Sequence, residues 1–289
     1  MIYLILSVFA SSLIFIIFKL FSRYNVDTFQ AIIINYIIAC TSGILAYTSP
    51  IKIDTIINAN WLYSAMALGV IFILIFNLMA ITTQKNGLSV AAVASKMSIA
   101  IPVLFGIIVY QESTGFLKLS GILIALVAVY MTAMKTAGGV SIKKENLIFP
   151  ILVFLGSGII DTSLKFLETN YVVDNDVPIF SATIFGFAAV IGIFILSYKA
   201  ITGTLKLSFK NILAGIALGI PNYFSIYFLI QALKNEHMDS ATVFTINNVS
   251  ILLVSTLVGV LFFKEVLFLK NWIGIILAII SIIMVAFTI

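Results

Sequence analysis

Lys96 stands near the middle of Ala91-Ala92-Val93-Ala94-Ser95-Lys96-Met97-Ser98-Ile99-Ala100-Ile101-Pro102, a run of apolar and small residues. An ionisable side chain in such a setting costs about 2.5–3.5 kcal/mol on membrane-insertion scales, so it has to face a cavity or a partner. Its chemistry is that of a cationic anchor for a carboxylate or phosphate; the plainer readings are an internal ion pair or a lysine snorkelling to an interface. A second polar stripe, Ser157, Asp161, Lys165 and Glu168, is spaced four, four and three residues apart and so shares one helix face. Asp161 and Lys165 are candidates for proton coupling, with a purely structural i,i+4 pair between them as the alternative. The related stripe in the first apolar run has Ser11 or Ser12, then Phe15, then Lys19, so Phe15 stands where the other stripe has its carboxylate.

Neutral groups able to orient a small polar molecule lie on three further runs. Asn77 and Gln84 are seven residues apart, Asn222 and Ser225 follow Pro221, and Thr242, Thr245, Asn248 and Ser255 share a face with Asn247 beside them. Taken singly, each is explained by interhelical hydrogen bonding; together they predict a polar cavity. Asn77, Asn222, Asn247, Asn248 and Tyr227 are therefore candidate substrate-binding residues beside Lys96, and Tyr223 is a weaker one. Catalysis finds no such support. Cys40 is the sole cysteine and His237, read as a solvated loop residue, the sole histidine, which removes Cys-based metal sites, two-His metal motifs and a histidine-based triad. No glycine loop cradles a phosphate. We expect no enzyme, no cofactor and no metal. The net charge of +5 comes from lysines scattered singly, with Arg23 the only arginine, and this is not the clustered basic face that nucleic acid requires.

The elements that must position these groups follow from composition. Of 289 residues 62% are hydrophobic and 9% charged, against about 25% charged in an ordinary soluble domain. Runs of spanning length occupy 2–20, 28–48, 59–83, 87–110, 116–134, 149–170, 178–198, 211–234, 239–263 and 269–288. Met1-Ile2-Tyr3 lacks a basic region, so the first run reads as a retained helix and not a secretory signal. Pro150 and Pro178 lie at helix starts, whereas Pro102 and Pro221 fall inside spans four and eight and predict kinks or opened backbone. Trp61 and Trp272 open spans three and ten, where interfacial aromatic rings belong. Gly215 and Gly219 form a small-residue pair suited to close helix packing.

The chain also reads as doubled. Ala67-Leu68-Gly69 recurs as Ala217-Leu218-Gly219, Lys85-Asn86 as Lys234-Asn235, and the run Phe105 to Glu112 as Val258 to Glu265, each Glu being followed nine residues later by Gly121 or Gly274. Lys19 and Lys165 close spans one and six. Five crossings per copy invert the second copy, and inverted repeats around a midplane site are a common architecture of secondary transporters. The expected fold is an all-α integral membrane protein with ten transmembrane helices in a five-plus-five inverted repeat around a central polar cavity. The first repeat takes 1–137, a solvated linker 138–148 and the second repeat 149–289.

Ten spans, this duplication, the Gly…Glu-(x8)-Gly endings of spans four and nine, and the lysine ending span one together resemble the EamA-type transporters of the drug/metabolite transporter superfamily. The resemblance covers nearly the whole chain. It implies a basket of ten helices, a cavity bounded by spans one, three, four, six, eight and nine, and export or exchange of small polar metabolites, often amino acids. The chain departs from the family's pattern at span nine, where Leu252 or a neighbour replaces a second proline. Charge is the other departure: lysine and arginine flank the odd-numbered connections far more often than the even ones, which puts both termini outside, whereas the resemblance implies both inside. The expected partners are a small-molecule substrate and membrane lipids, with possible proton coupling, in a monomer or homodimer of the cell membrane, bacterial and inner. A multidrug-type exporter of lipophilic compounds and a flippase or enzyme acting on a lipid-linked headgroup are the alternatives.

Overall fold

The computed structural model describes residues 1–50, 53–86, 88–112, 115–133, 146–205, 208–235, 237–263 and 267–287. Among these the chain is helical, in the order α1 (Ile2–Arg23), α2 (Thr28–Ala46), the short α3 (Ile53–Ile57), α4 (Leu62–Asn86), α5 (Leu88–Met97), α6 (Ala100–Val109), α7 (Phe116–Ala133), α8 (Ile148–Asn170), α9 (Val177–Ile201), α10 (Phe209–Leu233), α11 (Ser240–Phe263) and α12 (Leu269–Ala286). Eight of them (α1, α2, α4 and α8 to α12) are long and apolar enough to cross a membrane, and Ala94–Val109 and Phe116–Met131 are shorter apolar stretches. In hydrocarbon every backbone polar group must be satisfied internally, and an apolar helix does this within itself. The protein is an integral, multi-pass, helical membrane protein.

Span four departs from the single helix expected over 87–110. Gly87 lies outside the described residues, and the remainder divides into α5 and α6 at Ser98 and Ile99. Pro102 therefore does not sit in a helix interior: it is the third residue of α6, where its missing N–H would have had no strong claim. Instead the Ile101 N–H takes the Ser98 carbonyl at 2.9 Å, and the Ile99 N–H reaches the Lys96 carbonyl only at 3.5 Å. Pro221 does lie inside α10, which runs unbroken. Trp61 is also corrected. It is 3% exposed, packed edge-on against Phe180 at 5.6 Å, whereas Trp272 is exposed as expected of an interfacial ring. Most of the linker 138–148 lies outside the described residues, as do Lys264 and Glu265 of the repeated motif; the side chains of Gln84, Lys85 and Asn86 do too.

Packing interleaves the two ends of the chain. α1 lies against α10 and α11, α8 against α4, α5 and α6, α2 against both α9 and α10, α4 against α9, and α7 against α12. Two glycines allow the closest approaches. A Cβ on Gly219 would stand 2.8 Å from the Asn35 carbonyl oxygen and 2.6 Å from Ile38 Cβ, so α10 closes on α2 only because that residue has no side chain. A Cβ on Gly69 would likewise stand 2.8 Å from the Ile184 carbonyl, which sets the α4–α9 spacing. Behind these seams lies the main core, with Tyr36, Phe180, Phe185 and Tyr223 fully buried.

Candidate functional site

A cavity of about 140 Å³ opens between α1, α4, α5, α8, α10 and α11. A cavity of about 150 Å³ takes one benzene, so a compact molecule fits. α1 supplies Ser11, Ile14 and Phe15, and α8 supplies Ser157, Ile160 and Asp161 at the same spacing. α4 supplies Phe72, Ile75, Phe76 and Met79, and α10 supplies Asn222, Ser225, Ile226 and Leu229, again at one spacing. Ser95 and Lys96 of α5 face Asn247 and Asn248 of α11 across the same space.

Lys96 is the centre of the polar wall. Its Nζ donates to Asn248 Oδ1 at 2.9 Å and lies 5.3 Å from the centroid of the Phe15 ring. The α5–α6 break places it in the last turn of α5, where the partial negative charge of unpaired carbonyls favours a cation. That support was not legible in the sequence, since it depends on where the helix stops. Asp161 faces the same cavity, near enough to interact electrostatically with Lys96, but no ion pair joins the two among the described residues. Asn247 is 4% exposed and its Oδ1 accepts no hydrogen bond. One half-buried cation, one carboxylate and a set of amides thus face a space large enough for a small molecule.

Five of the eight candidate residues meet there: Lys96, Asp161, Asn222, Asn247 and Asn248. Three do not. Asn77 turns its amide nitrogen onto its own helix, donating to the Ile73 carbonyl at 2.7 Å. Tyr227 stacks on Tyr223, 5.9 Å between centroids, in an aromatic cluster outside the lining. Lys165 does not pair with Asp161 as the i,i+4 spacing predicts; its Nζ donates to Glu168 at 3.0 Å and to the Leu233 carbonyl at 3.4 Å, and lies 5.8 Å from the Tyr110 ring. Glu168, three residues on, competes successfully because both groups lie at the end of α8, whereas Asp161 is four residues deeper, on the cavity. His237 is exposed on the loop before α11, as expected. The sequence reading missed the aromatic wall of Phe18, Phe72 and Phe76, and it missed Asn35, which stands behind Asn222 on α2. Their periodicity as apolar or buried positions gave no signal separable from ordinary packing.

One end of the bundle is closed by charge. Glu112, just past α6, accepts from the backbone N–H groups of Ser240 at 2.9 Å and Ala241 at 3.0 Å and from the Ser240 hydroxyl, and so caps α11 from outside its own helix. Beside it Lys118, 1% exposed, is bonded to Asp239. Asp239 precedes α11, outside the spanning segment. Burial pushes its carboxyl up, but hydrogen bonds from Lys118 and Thr242 outweigh this and hold it below the usual carboxylate range. A carboxyl lowered on folding contributes stability above its unfolded pKa of about 3.9, and that contribution is lost as pH falls through the folded value. The thermal midpoint of the wild type is therefore expected to exceed that of Asp239→Asn at pH 7, with the gap closing only below about pH 4. A gap that is constant from pH 7 to pH 3 would remove the linkage.

No protein-family model matches the chain. An uncharacterised protein of Haemophilus influenzae is 26% identical over 278 residues, which are 94% of this chain and 93% of that one. A solved crystal structure superposes with a TM-score of 0.75 at 15% identity, covering 98% of this chain and 96% of the other. The chain thus shares its whole fold with an experimentally determined structure.

Proposed function

We propose that this protein is a secondary transporter of the EamA type, in the drug/metabolite transporter superfamily, that exports or exchanges a small zwitterionic or anionic metabolite such as an amino acid. The observation that carries this reading is the half-open cavity between the helices, lined by Lys96 and Asp161 without an ion pair between them. Charges at membrane depth are costly unless they serve a pathway or a partner, and neither of these has spent its charge on the other. Lys96 binds the substrate's anionic group, Asn222, Asn247 and Asn248 orient it, and Asp161 carries the coupling proton.

The lining supports ten spans in an inverted five-plus-five repeat, 1–137 and 149–289. Ser11, Ile14 and Phe15 correspond to Ser157, Ile160 and Asp161; Phe72, Ile75, Phe76 and Met79 to Asn222, Ser225, Ile226 and Leu229; and Ser95 and Lys96 to Asn247 and Asn248. Within each pair of helices the offset is constant. The packing obeys the same exchange, since α1 on α10 is matched by α8 on α4, and α1 on α11 by α8 on α5 and α6. So do the span ends: Lys19 lies 4.4 Å from the Phe263 ring as Lys165 lies 5.8 Å from that of Tyr110. Two such contacts, at opposite ends of the pathway, suit a carrier that opens to one side at a time.

Uptake and counterflow in proteoliposomes test this, using pooled labelled amino acids and phosphorylated metabolites. Transport of an anionic or zwitterionic compound is the expected result. Its absence from correctly folded protein would shift the reading to lipophilic or lipid-linked substrates. For the coupling residue, Asp161→Asn is expected to keep substrate counterflow while removing the response to an imposed pH gradient; an undiminished response would leave Asp161 a structural charge.

A further inference from the structure

Asn35 lines no part of the cavity and is fully buried on α2. Its Nδ2 donates to the Ile32 carbonyl at 3.3 Å, and its Oδ1 accepts from Asn222 Nδ2 at 3.0 Å. The chemistry of the partners fixes both amides. A carbonyl can only accept, so Asn35 must turn its nitrogen to Ile32 and its oxygen to Asn222, and Asn222 must answer with its nitrogen. With its nitrogen turned to Asn35, the acceptor that Asn222 has left is its oxygen, beside one remaining N–H; that oxygen accepts no hydrogen bond among the described residues, and Asn222 lines the cavity.

Packing does not require this pair. Gly219 packs on the Asn35 carbonyl as Gly69 packs on that of Ile184, and Phe72 holds on α4 the lining position that Asn222 holds on α10. The corresponding seam therefore closes with Ile184 and Phe72, without any amide. We propose that Asn35 is a positioning residue that presents Asn222 oxygen-first to the cavity, making the α10 wall an acceptor for the N–H donors of the substrate's ammonium pole, opposite the Lys96 that takes its anionic pole. Buried acceptors that lose their donor discriminate strongly between an amine and its des-amino analogue. This rests on the transport reading and adds to it the residue that decides which analogue is refused.

The test uses the full chain in detergent and two probes small enough for the cavity, alanine and its des-amino counterpart propionate, with dissociation constants taken from ligand-induced rises in thermal midpoint. Wild type is expected to bind alanine about tenfold or more tighter than propionate. Asn35→Leu is expected to bring that ratio close to one, chiefly by weakening alanine, and Asn35→Asp, whose neutral acid can donate its O–H to the Ile32 carbonyl and keep an acceptor toward Asn222, to restore it in part. A purely structural role would weaken both ligands together. An unchanged ratio in a well-folded Asn35→Leu protein overturns the positioning role alone. Wild type that binds propionate as well as alanine overturns the acceptor wall, and wild type that binds neither overturns the zwitterion reading itself, which the uptake assay examines separately.

Discussion

Lys96→Ala is expected to abolish transport while leaving insertion and folding intact. The lysine is bonded to Asn248 across the cavity at 2.9 Å and makes no ion pair among the described residues, so its removal breaks no direct salt bridge, although it takes away the cation nearest Asp161. Truncating one member of a buried, charge-assisted contact costs about 2–5 kcal/mol. Loss of that contact with a substrate anion therefore lowers affinity by at least about 30-fold. The mutant also sheds the insertion cost of the ammonium, which offsets the lost attraction for Asp161, so its thermal midpoint is expected to change little. Lys96→Arg does not rescue a tight cavity of about 140 Å³ as well as it would an open one, because the planar fork needs more room. Preserved counterflow in Lys96→Ala would take the residue out of the site.

The second large effect concerns stability. Glu112 bonds two backbone N–H groups and one hydroxyl at the start of α11, and those groups have no other cap from within their own helix. Glu112→Ala leaves buried donors unmet, at a cost of about 3 kcal/mol, which corresponds to a fall of about 6–10 °C in thermal midpoint for a chain of this size class. Glu112→Gln keeps one acceptor oxygen and should fall by less than half as much. Gly106 offers an independent check, since a Cβ there would stand 2.7 Å from Glu112 Oε2 and 2.9 Å from Ser240 Oγ, so Gly106→Ala should reproduce part of the loss. Stability that is unaffected by Glu112→Ala in a detergent melt would mean that water replaces the cap.

Much of this was legible in the sequence because hydropathy and membrane span length leave few alternatives. Lys96, Asp161 and Asn248 stood out since polar groups in apolar runs need an explanation, and the cavity supplies one. Periodicity says which residues share a helix face but not which partner a side chain prefers. Asn77 lost its place to the Ile73 carbonyl, and Lys165 found Glu168 instead of Asp161. Pro102 marked a break correctly but not its position, because a proline ring is tolerated in a first turn and the break fell at Ser98. Asn35 carried no signal at all, since a buried amide on a helix that does not touch the cavity looks like any interhelical bond.

The interleaved packing also sets an order of events during synthesis. Of these helices α1 leaves the ribosome before the others, yet the ones it lies against, α10 and α11, are made much later. For most of translation it must rest in lipid with its serines facing no partner, and the same is true of α2, whose seams are with α9 and α10. Each helix satisfies its own backbone and can wait in hydrocarbon, but the cavity cannot exist in any nascent fragment that stops before α11. The cavity is therefore assembled from helices already in the membrane, and a lesion in α10 or α11 disables residues of α1 as surely as one beside them.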